Sequence, residues 1–273
     1  MHPIFLDFGW HEIPLLGRTH LFLPTYGILF AVGALTAWWW FLRRARGLGI
    51  DEEKVFNLGF YGLLAGIVGA KATLIAVEWR IYAAHPWEIL GSVRSAGVLM
   101  GGVLAGSLVF ALYARRNQLP LFRLADAAAA PLALAQSIGR LGCFCAGCCY
   151  GVPGKRFAVT FTDPSAAAQT AVPLHVPLVP TQIIQMTSDL LLALLLTGLW
   201  RRRAAPEGSV FWWYVLLYSI ARGIIELWRG DAVRGLFFHS HVSTSQLIAG
   251  AAAILGATML VRGRMAWRAA QRA

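Results

Sequence analysis

Charged residues are scarce in this chain, since Asp, Glu, Lys and Arg make up 14% of its 273 residues while hydrophobic residues make up 58%. A water-soluble domain cannot bury so large an apolar share, so the composition excludes an ordinary soluble enzyme. Apolar runs of about 20 residues recur along the whole length, and a helix of that length crosses a bilayer. The sequence therefore predicts a helical membrane protein.

Seven apolar runs are long enough to span. We predict an all-α, polytopic fold in which residues 1–273 form a single transmembrane domain. The loop at residues 150–180, rich in Pro, Ala and Thr, is predicted to be a small external cap between spans four and five. In the fourth span, Pro131 and several glycines predict an interrupted helix. The predicted spans are residues 21–42, 55–77, 95–114, 124–142, 181–200, 209–228 and 243–261.

Acidic residues are also few, with 13 Asp and Glu against 24 Lys and Arg. The positive-inside bias of membrane loops explains this excess without a nucleic-acid partner. With the spans placed as above, 14 basic residues fall on one side and 7 on the other. This bias predicts a cytoplasmic C-terminus and an external N-terminus.

The N-terminal segment, residues 1–17, has no Lys or Arg ahead of its apolar residues. This argues against a cleaved signal peptide. The segment is instead expected to lie flat at the membrane interface through Phe5, Phe8, Trp10 and Leu15.

A lone arginine, Arg140, follows the fourth apolar run and opens a segment, residues 139–151, that holds all four cysteines. An arginine at membrane depth is costly, so it usually faces a polar interior and serves a function. The neighbouring glycines let a backbone or a substrate approach closely. The segment is therefore predicted to bind an anionic headgroup, although an arginine that snorkels to the interface is the alternative.

A second candidate lies on the sixth span, where Tyr218, Arg222 and Glu226 are spaced i, i+4 and i+8 on one helical face. Glu226 can neutralise Arg222 and fix its side chain. A purely structural ion pair between helices is the alternative. Two guanidinium groups, from Arg140 and Arg222, would together match the phosphodiester of a phospholipid.

The cysteines follow the spacing Cys143-x-Cys145-x-x-Cys148-Cys149. A zinc site more often shows two separated Cys-x-x-Cys pairs or histidine partners, so the metal signal is weak and we predict no metal and no cofactor. Packing as small hydrophobic side chains, a disulfide at the external face, and catalysis all stay open. In the catalytic alternative Cys143 is a nucleophile that accepts an acyl or glyceryl group covalently.

These residues resemble the prolipoprotein diacylglyceryl transferase family. Residues 139–144, Gly-Arg-Leu-Gly-Cys-Phe, are similar to its Gly-Arg-x-Gly-Asn-Phe signature, and Gly151 falls at the closing glycine of that motif. Further pieces match in the same order along nearly the whole chain. They are Tyr26-Gly27, Gly101-Gly102 with Gly106, Asp126 with Pro131, Pro180-Thr181-Gln182, and the Tyr218, Arg222, Glu226 face.

The resemblance implies a reaction, a setting and a set of site residues. The family moves the diacylglyceryl group of phosphatidylglycerol onto the lipobox cysteine of a preprolipoprotein and releases glycerol 1-phosphate. It implies a multi-pass protein of the bacterial inner membrane, working in lipoprotein biosynthesis. The implied catalytic residues are Arg140, Arg222 and Tyr218, and the implied substrate-binding residues are Arg140, Tyr26, Gln182, Glu226, Gly101, Gly102 and Cys143.

This chain also departs from the family pattern around the reacting centre. Met100 stands where the family has a histidine before its Gly-Gly, and Cys143 and Cys148 stand at the asparagine and glutamate of the signature. Val179 and Ile184-Gln185 replace the residues that flank Pro-Thr-Gln. Either another group takes over the role of the base, or the chain is a paralogue that binds a similar lipid and performs different, Cys-dependent chemistry or none.

Overall fold

The computed structural model describes residues 2–13, 17–91, 97–202, 206–231, 236–237 and 242–272. Seven long helices dominate these described residues, and each overlaps one predicted span. They are α1 (Thr25–Arg46), α2 (Glu52–Val77), α5 (Leu99–Arg116), α6 (Leu121–Ala146), α8 (Thr181–Arg201), α9 (Ser209–Ile225) and α10 (Thr244–Arg272). The short helices are α3 (Trp79–Ala84), α4 (Glu88–Gly91) and α7 (Pro164–Thr170), and a 3-10 turn, Glu226–Trp228, follows α9.

By length and composition, five of these helices, α1, α2, α8, α10 and α9 with its 3-10 turn, are apolar enough to cross a membrane. The chain is therefore a membrane protein with several apolar helices, and a count of seven spans stays a prediction. The orientation of the termini also stays a prediction. Of the basic residues counted for that orientation, Arg94, Arg203 and Arg234 lie outside the described residues.

The fold is mostly helical, as expected, but the N-terminus departs from an all-α fold. Strands β1 (Ile4–Ile13) and β2 (Gly17–Pro24) form an antiparallel hairpin, with a bulge near Gly9. His20 Nε2 lies 2.8 Å from Asp7 Oδ1 across the pair. The first predicted span therefore begins too early, because residues 21–24 belong to β2 and α1 starts at Thr25.

Three aromatic side chains of the hairpin are exposed, so the prediction that this segment lies at the membrane interface stays a prediction. Phe5, Phe8 and Trp10 are each more than half exposed. Exposed aromatic residues of this kind suit the headgroup region of a membrane. Leu15, the fourth residue of that prediction, lies outside the described residues.

The predicted interruption of the fourth span is wrong, because α6 runs through Pro131 as one helix of 26 residues. A proline inside a helix removes one donor and crowds the carbonyl four residues earlier. Here Pro131 is fully buried, and Ala129, Ala130 and Ala133 beside it pack against Leu192 and other residues of α8 and α9. Burial of this small-residue face offsets the lost hydrogen bond.

The chain divides into two units, one of Met1–Trp40 with Ala125–Ala273 and one of Phe41–Leu124. The second unit is built on close packing between α2 and α5. A Cβ atom at Gly101 would lie 1.9 Å from Thr73 Oγ1, and one at Gly102 would lie 2.8 Å from the carbonyl oxygen of Gly66. Small residues let helix backbones approach in a membrane, so the glycines predicted to bind substrate contact α2 here.

The first unit joins α6, α8, α9 and α10 with the segment predicted to form the cap. That segment contains β3 (Val159–Thr160), α7 and β4 (Pro177–Leu178), and β3 pairs with β4. Its own small core consists of Phe161, Ala166, Val172 and Leu178. Two further short strands, β5 (Leu236–Phe237) and β6 (Val242–Ser243), precede α10. The external position of the cap stays a prediction.

Asp126 of α6 holds the start of α9. Its Oδ2 accepts a hydrogen bond from the Gly208 amide at 2.7 Å, and its Oδ1 accepts one from the Phe211 amide at 2.8 Å. The first amides of a helix have no partner within the helix, so a buried carboxylate is a strong cap. The aspartate that opens the fourth span therefore has a structural role in this chain.

We expect Asp126→Asn to destabilise the protein, because an amide can accept from only one of the two N–H groups. The loss should be about 1–2 kcal/mol, which corresponds to a Tm lower by about 3–6 °C, measured by thermal unfolding in detergent. Asp51→Asn is the control, since Asp51 is an exposed cap of α2 that accepts one hydrogen bond, from Glu53. An equal Tm loss in both variants would contradict the capping role.

Candidate functional site

The cysteine segment, residues 139–151, covers the last turns of α6 and the turn that follows it. Gly147 has φ +83° and donates its amide to the Cys143 carbonyl at 3.0 Å, which is a common way to close a helix. Cys149 also has a positive φ of 59°, which is uncommon for a residue with a side chain. These two left-handed residues turn the cysteines after the helix back toward Cys143.

The start of α8 holds this turn in place. The Thr181 hydroxyl donates to the Cys149 carbonyl at 2.7 Å, and the Gln182 amide donates to the Cys148 carbonyl at 2.9 Å. Both side chains are buried. The Pro-Thr-Gln element thus fixes the backbone of the cysteine turn, and any contact of Gln182 with substrate stays a prediction.

Three of the four cysteines form a cluster. The sulfur atoms of Cys143, Cys148 and Cys149 all lie within 4.8 Å of one another, and Cys145 is outside this group. All four are free thiols. Hydrogen bonds from Cys143 and Cys148, together with the nearby charges of Arg140 and Arg229, lower the pKa of the Cys149 thiol, although burial opposes them. The structure thus brings three thiols of the segment together and leaves Cys145 apart.

A junction of three segments follows the cysteines. Val152 donates to the Trp228 carbonyl at 2.9 Å and accepts from the Val179 amide at 3.0 Å, while Gly151 donates to the Val179 carbonyl at 3.0 Å. A Cβ atom at Gly151 would lie 2.4 Å from that same carbonyl oxygen, so only glycine fits. The closing glycine of the motif therefore joins the ends of α6, α8 and α9.

Arg140 lies one helical turn before Cys143 and faces the interior of the first unit. It interacts electrostatically with Tyr218, Cys143, Cys149 and Asp189. Within the part of the chain that the structure describes, no hydrogen bond or ion pair to its guanidinium is found. Its donors are therefore free to bind an anion.

Arg222 is held in position by protein partners. Its Nη1 lies 2.5 Å from Glu226 Oε2, and its Nη2 donates to Ser245 Oγ of α10 at 3.2 Å. Glu226 is buried and also lies 3.6 Å from Arg229 Nη1, and Arg229 pairs in turn with Asp231. The face predicted from the i, i+4 spacing therefore forms.

The predicted site residues of the first unit come together. Arg222 interacts electrostatically with both Arg140 and Tyr218, which shows that the two arginines face one region. Tyr26 lies beside the same region, because it interacts electrostatically with Arg140 and its ring would lie 3.2 Å from a Cβ atom at Gly142. Gly101 and Gly102, in the other unit, pack between α2 and α5 as described above.

Two buried residues on α8 were not assigned a role from the sequence. Gln185 donates to Asp189 Oδ1 at 2.8 Å, and Asp189 interacts with both Arg140 and Arg222. The other carboxylate oxygen, Asp189 Oδ2, is buried and has no hydrogen-bond partner among the described residues. The spacing of Gln182, Gln185 and Asp189 on one helical face is the sequence signal that could have indicated them.

The chain is similar in sequence to known proteins over most of its length. The family model described as prolipoprotein diacylglyceryl transferase matches residues 16–262. A Clostridium tetani protein named phosphatidylglycerol–prolipoprotein diacylglyceryl transferase is 37% identical over 233 residues, which cover 85% of this chain and 89% of the relative. A Clostridium perfringens protein, named phosphatidylglycerol–prolipoprotein diacylglyceryl transferase 2, is 35% identical over 82% of this chain and 84% of the relative.

A third relative with this name, from Symbiobacterium thermophilum, is 31% identical over 86% of both chains. The resemblance drawn from the sequence motifs is confirmed. The family model matches most of the chain, and a relative at 37% identity covers 85% of it. This chain therefore belongs to the prolipoprotein diacylglyceryl transferase family.

Proposed function

We propose that the protein transfers the diacylglyceryl group of phosphatidylglycerol to the lipobox cysteine of a preprolipoprotein and releases glycerol 1-phosphate. The observation that carries this proposal is Arg140, an arginine inside the first unit whose guanidinium has no hydrogen bond or ion pair among the described residues. A guanidinium so placed has donors available for an anion, and a phosphodiester at membrane depth supplies one.

The transfer reaction requires the site to stabilise more negative charge than lipid binding does. The acceptor thiolate attacks the glyceryl carbon that carries the phosphate, and the carbon–oxygen bond breaks. The phosphodiester carries one negative charge, and the departing glycerol phosphate carries two. Arg140 and Arg222 face the same region, so they stabilise the charge that grows in the transition state.

The two arginines have different surroundings, which suggests different roles. Arg222 is fixed by Glu226 and Ser245, so it is a preorganised donor. Arg140 keeps its donors for the phosphate oxygens. Tyr218 interacts electrostatically with both guanidiniums, and Tyr26 interacts with that of Arg140. This arrangement supports positioning of the headgroup as well as stabilisation of charge.

We further infer a multi-pass protein of the bacterial inner membrane, with the N-terminus outside and the C-terminus in the cytoplasm. Seven long helices, five of them apolar enough to cross by themselves, support this placement. The excess of Lys and Arg on one side sets the direction. With that orientation the cysteine turn and the cap lie at the external face, where secreted preprolipoproteins arrive.

The proposal predicts product release from purified components. The protein in detergent, given phosphatidylglycerol and a lipobox peptide, should release glycerol 1-phosphate and increase the peptide mass by one diacylglyceryl group. A peptide with serine in place of cysteine should yield neither product. Lipid binding without any release, beside an active family member run in parallel, would favour the alternative of a divergent lipid-binding paralogue.

A further inference from the structure

The cluster of Cys143, Cys148 and Cys149 has the dimensions of a metal site. Zinc binds thiolate sulfur at about 2.3 Å, so sulfur atoms around a tetrahedral zinc lie about 3.8 Å apart. The three sulfurs lie within 4.8 Å of one another, so a contraction of less than about 1 Å would bring them to that spacing. No fourth His, Cys, Asp or Glu joins the group among the described residues.

The backbone that carries the cluster is fixed in advance. Cys148 and Cys149 are held through their carbonyls by Gln182 and Thr181, and Cys149 keeps a left-handed conformation. A residue with a side chain is strained in such a conformation and keeps it only where the surroundings impose it. The loop after α6 therefore places the adjacent thiols of Cys148 and Cys149 next to Cys143, which lies on the last turn of α6.

The surroundings of the cluster also suit a metal–thiolate group. Three thiolates with a divalent cation carry one net negative charge, and a fourth thiolate would make it two. Two guanidiniums, from Arg140 and Arg229, interact electrostatically with Cys149. The cluster and the candidate phosphate site are therefore next to each other and share Arg140.

The transfer reaction needs a group that makes the acceptor thiol lose its proton. An ordinary thiol has a pKa of about 8.5, so an acceptor cysteine is mostly protonated at neutral pH and must lose its proton to attack carbon. This chain has Met100 where the family has a histidine. Cys143 and Cys148 occupy the positions of the asparagine and glutamate in the family signature. Two of the positions that lost polar groups, 143 and 148, therefore carry thiols in this chain.

We propose that Cys143, Cys148 and Cys149 hold a zinc ion whose open fourth position binds the lipobox cysteine of the substrate as a thiolate. This inference rests on the proposed transferase function and replaces the expectation from the sequence that no metal is bound. Zinc fits because it prefers sulfur ligands, does no redox chemistry and keeps an open position in catalytic sites with three protein ligands.

The step balances as follows. The acceptor S–H bond breaks when the sulfur binds zinc, and the proton leaves to solvent, because a coordinated thiol is deprotonated outright. A lone pair of the zinc-bound sulfur then forms the bond to the glyceryl carbon. The electron pair of the broken carbon–oxygen bond leaves with glycerol 1-phosphate, next to Arg140. The thioether product is a weaker ligand and dissociates, and the three cysteines are unchanged.

The test uses the full-length protein in detergent, stripped with a chelator and reloaded with Co²⁺ as a spectroscopic substitute for Zn²⁺. We expect one cobalt per chain, with thiolate-to-cobalt charge-transfer absorption. Adding a lipobox peptide should increase this absorption and shift the ligand-field bands, while the serine peptide should not. Cys148→Ser should lose cobalt binding, and Cys145→Ser, the matched control outside the cluster, should keep it.

The unmodified protein supplies a second measurement, which does not depend on how the variants fold. Removal of metal should lower the rate of glycerol 1-phosphate release by about a hundredfold, and Zn²⁺ should restore it. Stripped protein that keeps its full rate would overturn the zinc site and leave the transferase function intact. A cobalt protein that binds the peptide thiol but never releases product would support the site and contradict the transferase function. Cobalt uptake well below one per chain, or a spectrum unchanged by the cysteine peptide, would overturn the inference.

Discussion

Arg140→Lys should lower kcat/KM for diacylglyceryl transfer by about 10²–10³, the loss typical of removing one preorganised donor from a developing anion. Lysine keeps the positive charge but offers a point contact in place of a planar fork of donors. The measurement is the initial rate of glycerol 1-phosphate release over a range of phosphatidylglycerol concentrations. Arg264→Lys, on an exposed part of α10, is the control and should retain full activity.

The same variant separates a functional role from a structural one. Among the described residues the Arg140 guanidinium has no hydrogen bond or ion pair to lose, so Arg140→Lys should leave Tm almost unchanged. A large drop in Tm with little loss of kcat/KM would mean that the arginine stabilises the fold and that the phosphate binds elsewhere.

Gly101→Ala should be the most destabilising single substitution in the α2–α5 pair. The added Cβ would lie 1.9 Å from Thr73 Oγ1, 2.5 Å from Thr73 Cβ and 2.7 Å from the Gly69 carbonyl oxygen. Real Cβ atoms do not approach so closely, and a rotation of Thr73 cannot clear the backbone oxygen. We expect a loss of about 3 kcal/mol or more, seen as a lower Tm and a lower yield of folded protein.

Gly198→Ala is the matched control for this substitution, since Gly198 lies inside α8 and, outside its own helix backbone, no atom of the described residues lies within 4 Å of the added Cβ. Alanine favours a helix over glycine, so this variant should keep or raise the stability. If Gly101 acts only as a substrate contact, Gly101→Ala would keep its Tm and raise KM instead, and the packing argument would fail.

The positions of the long helices could be predicted because continuous apolar runs have few other solutions in a bilayer. The N-terminal hairpin could not, because the pairing of Asp7 with His20 joins residues that are apart in sequence and gives no local period. Similarly, the continuity of α6 through Pro131 depends on the burial of its alanine face against α8, which the sequence of α6 alone does not contain.

The site was predictable to the extent that its residues share one helix. Arg222 and Glu226 followed from the helical period, whereas Arg229 and Asp231 lie beyond the end of α9, where that period no longer applies. In the sequence, Asp189 is a polar residue within the fifth predicted span, residues 181–200. Its partners could not be predicted, because they depend on which face α8 turns toward α6. The separation of Cys145 from the other thiols depends on the two left-handed residues of the turn.

The Gly151 junction has a consequence for local opening of the protein. Its hydrogen bonds tie together the ends of three helices, and two of these helices carry Arg140 and Arg222. The amide protons of Gly151, Val152 and Val179 should therefore exchange with solvent as one cooperative group. Thermal fraying at any one helix end is suppressed by the other two, so the two guanidiniums keep their separation between catalytic cycles.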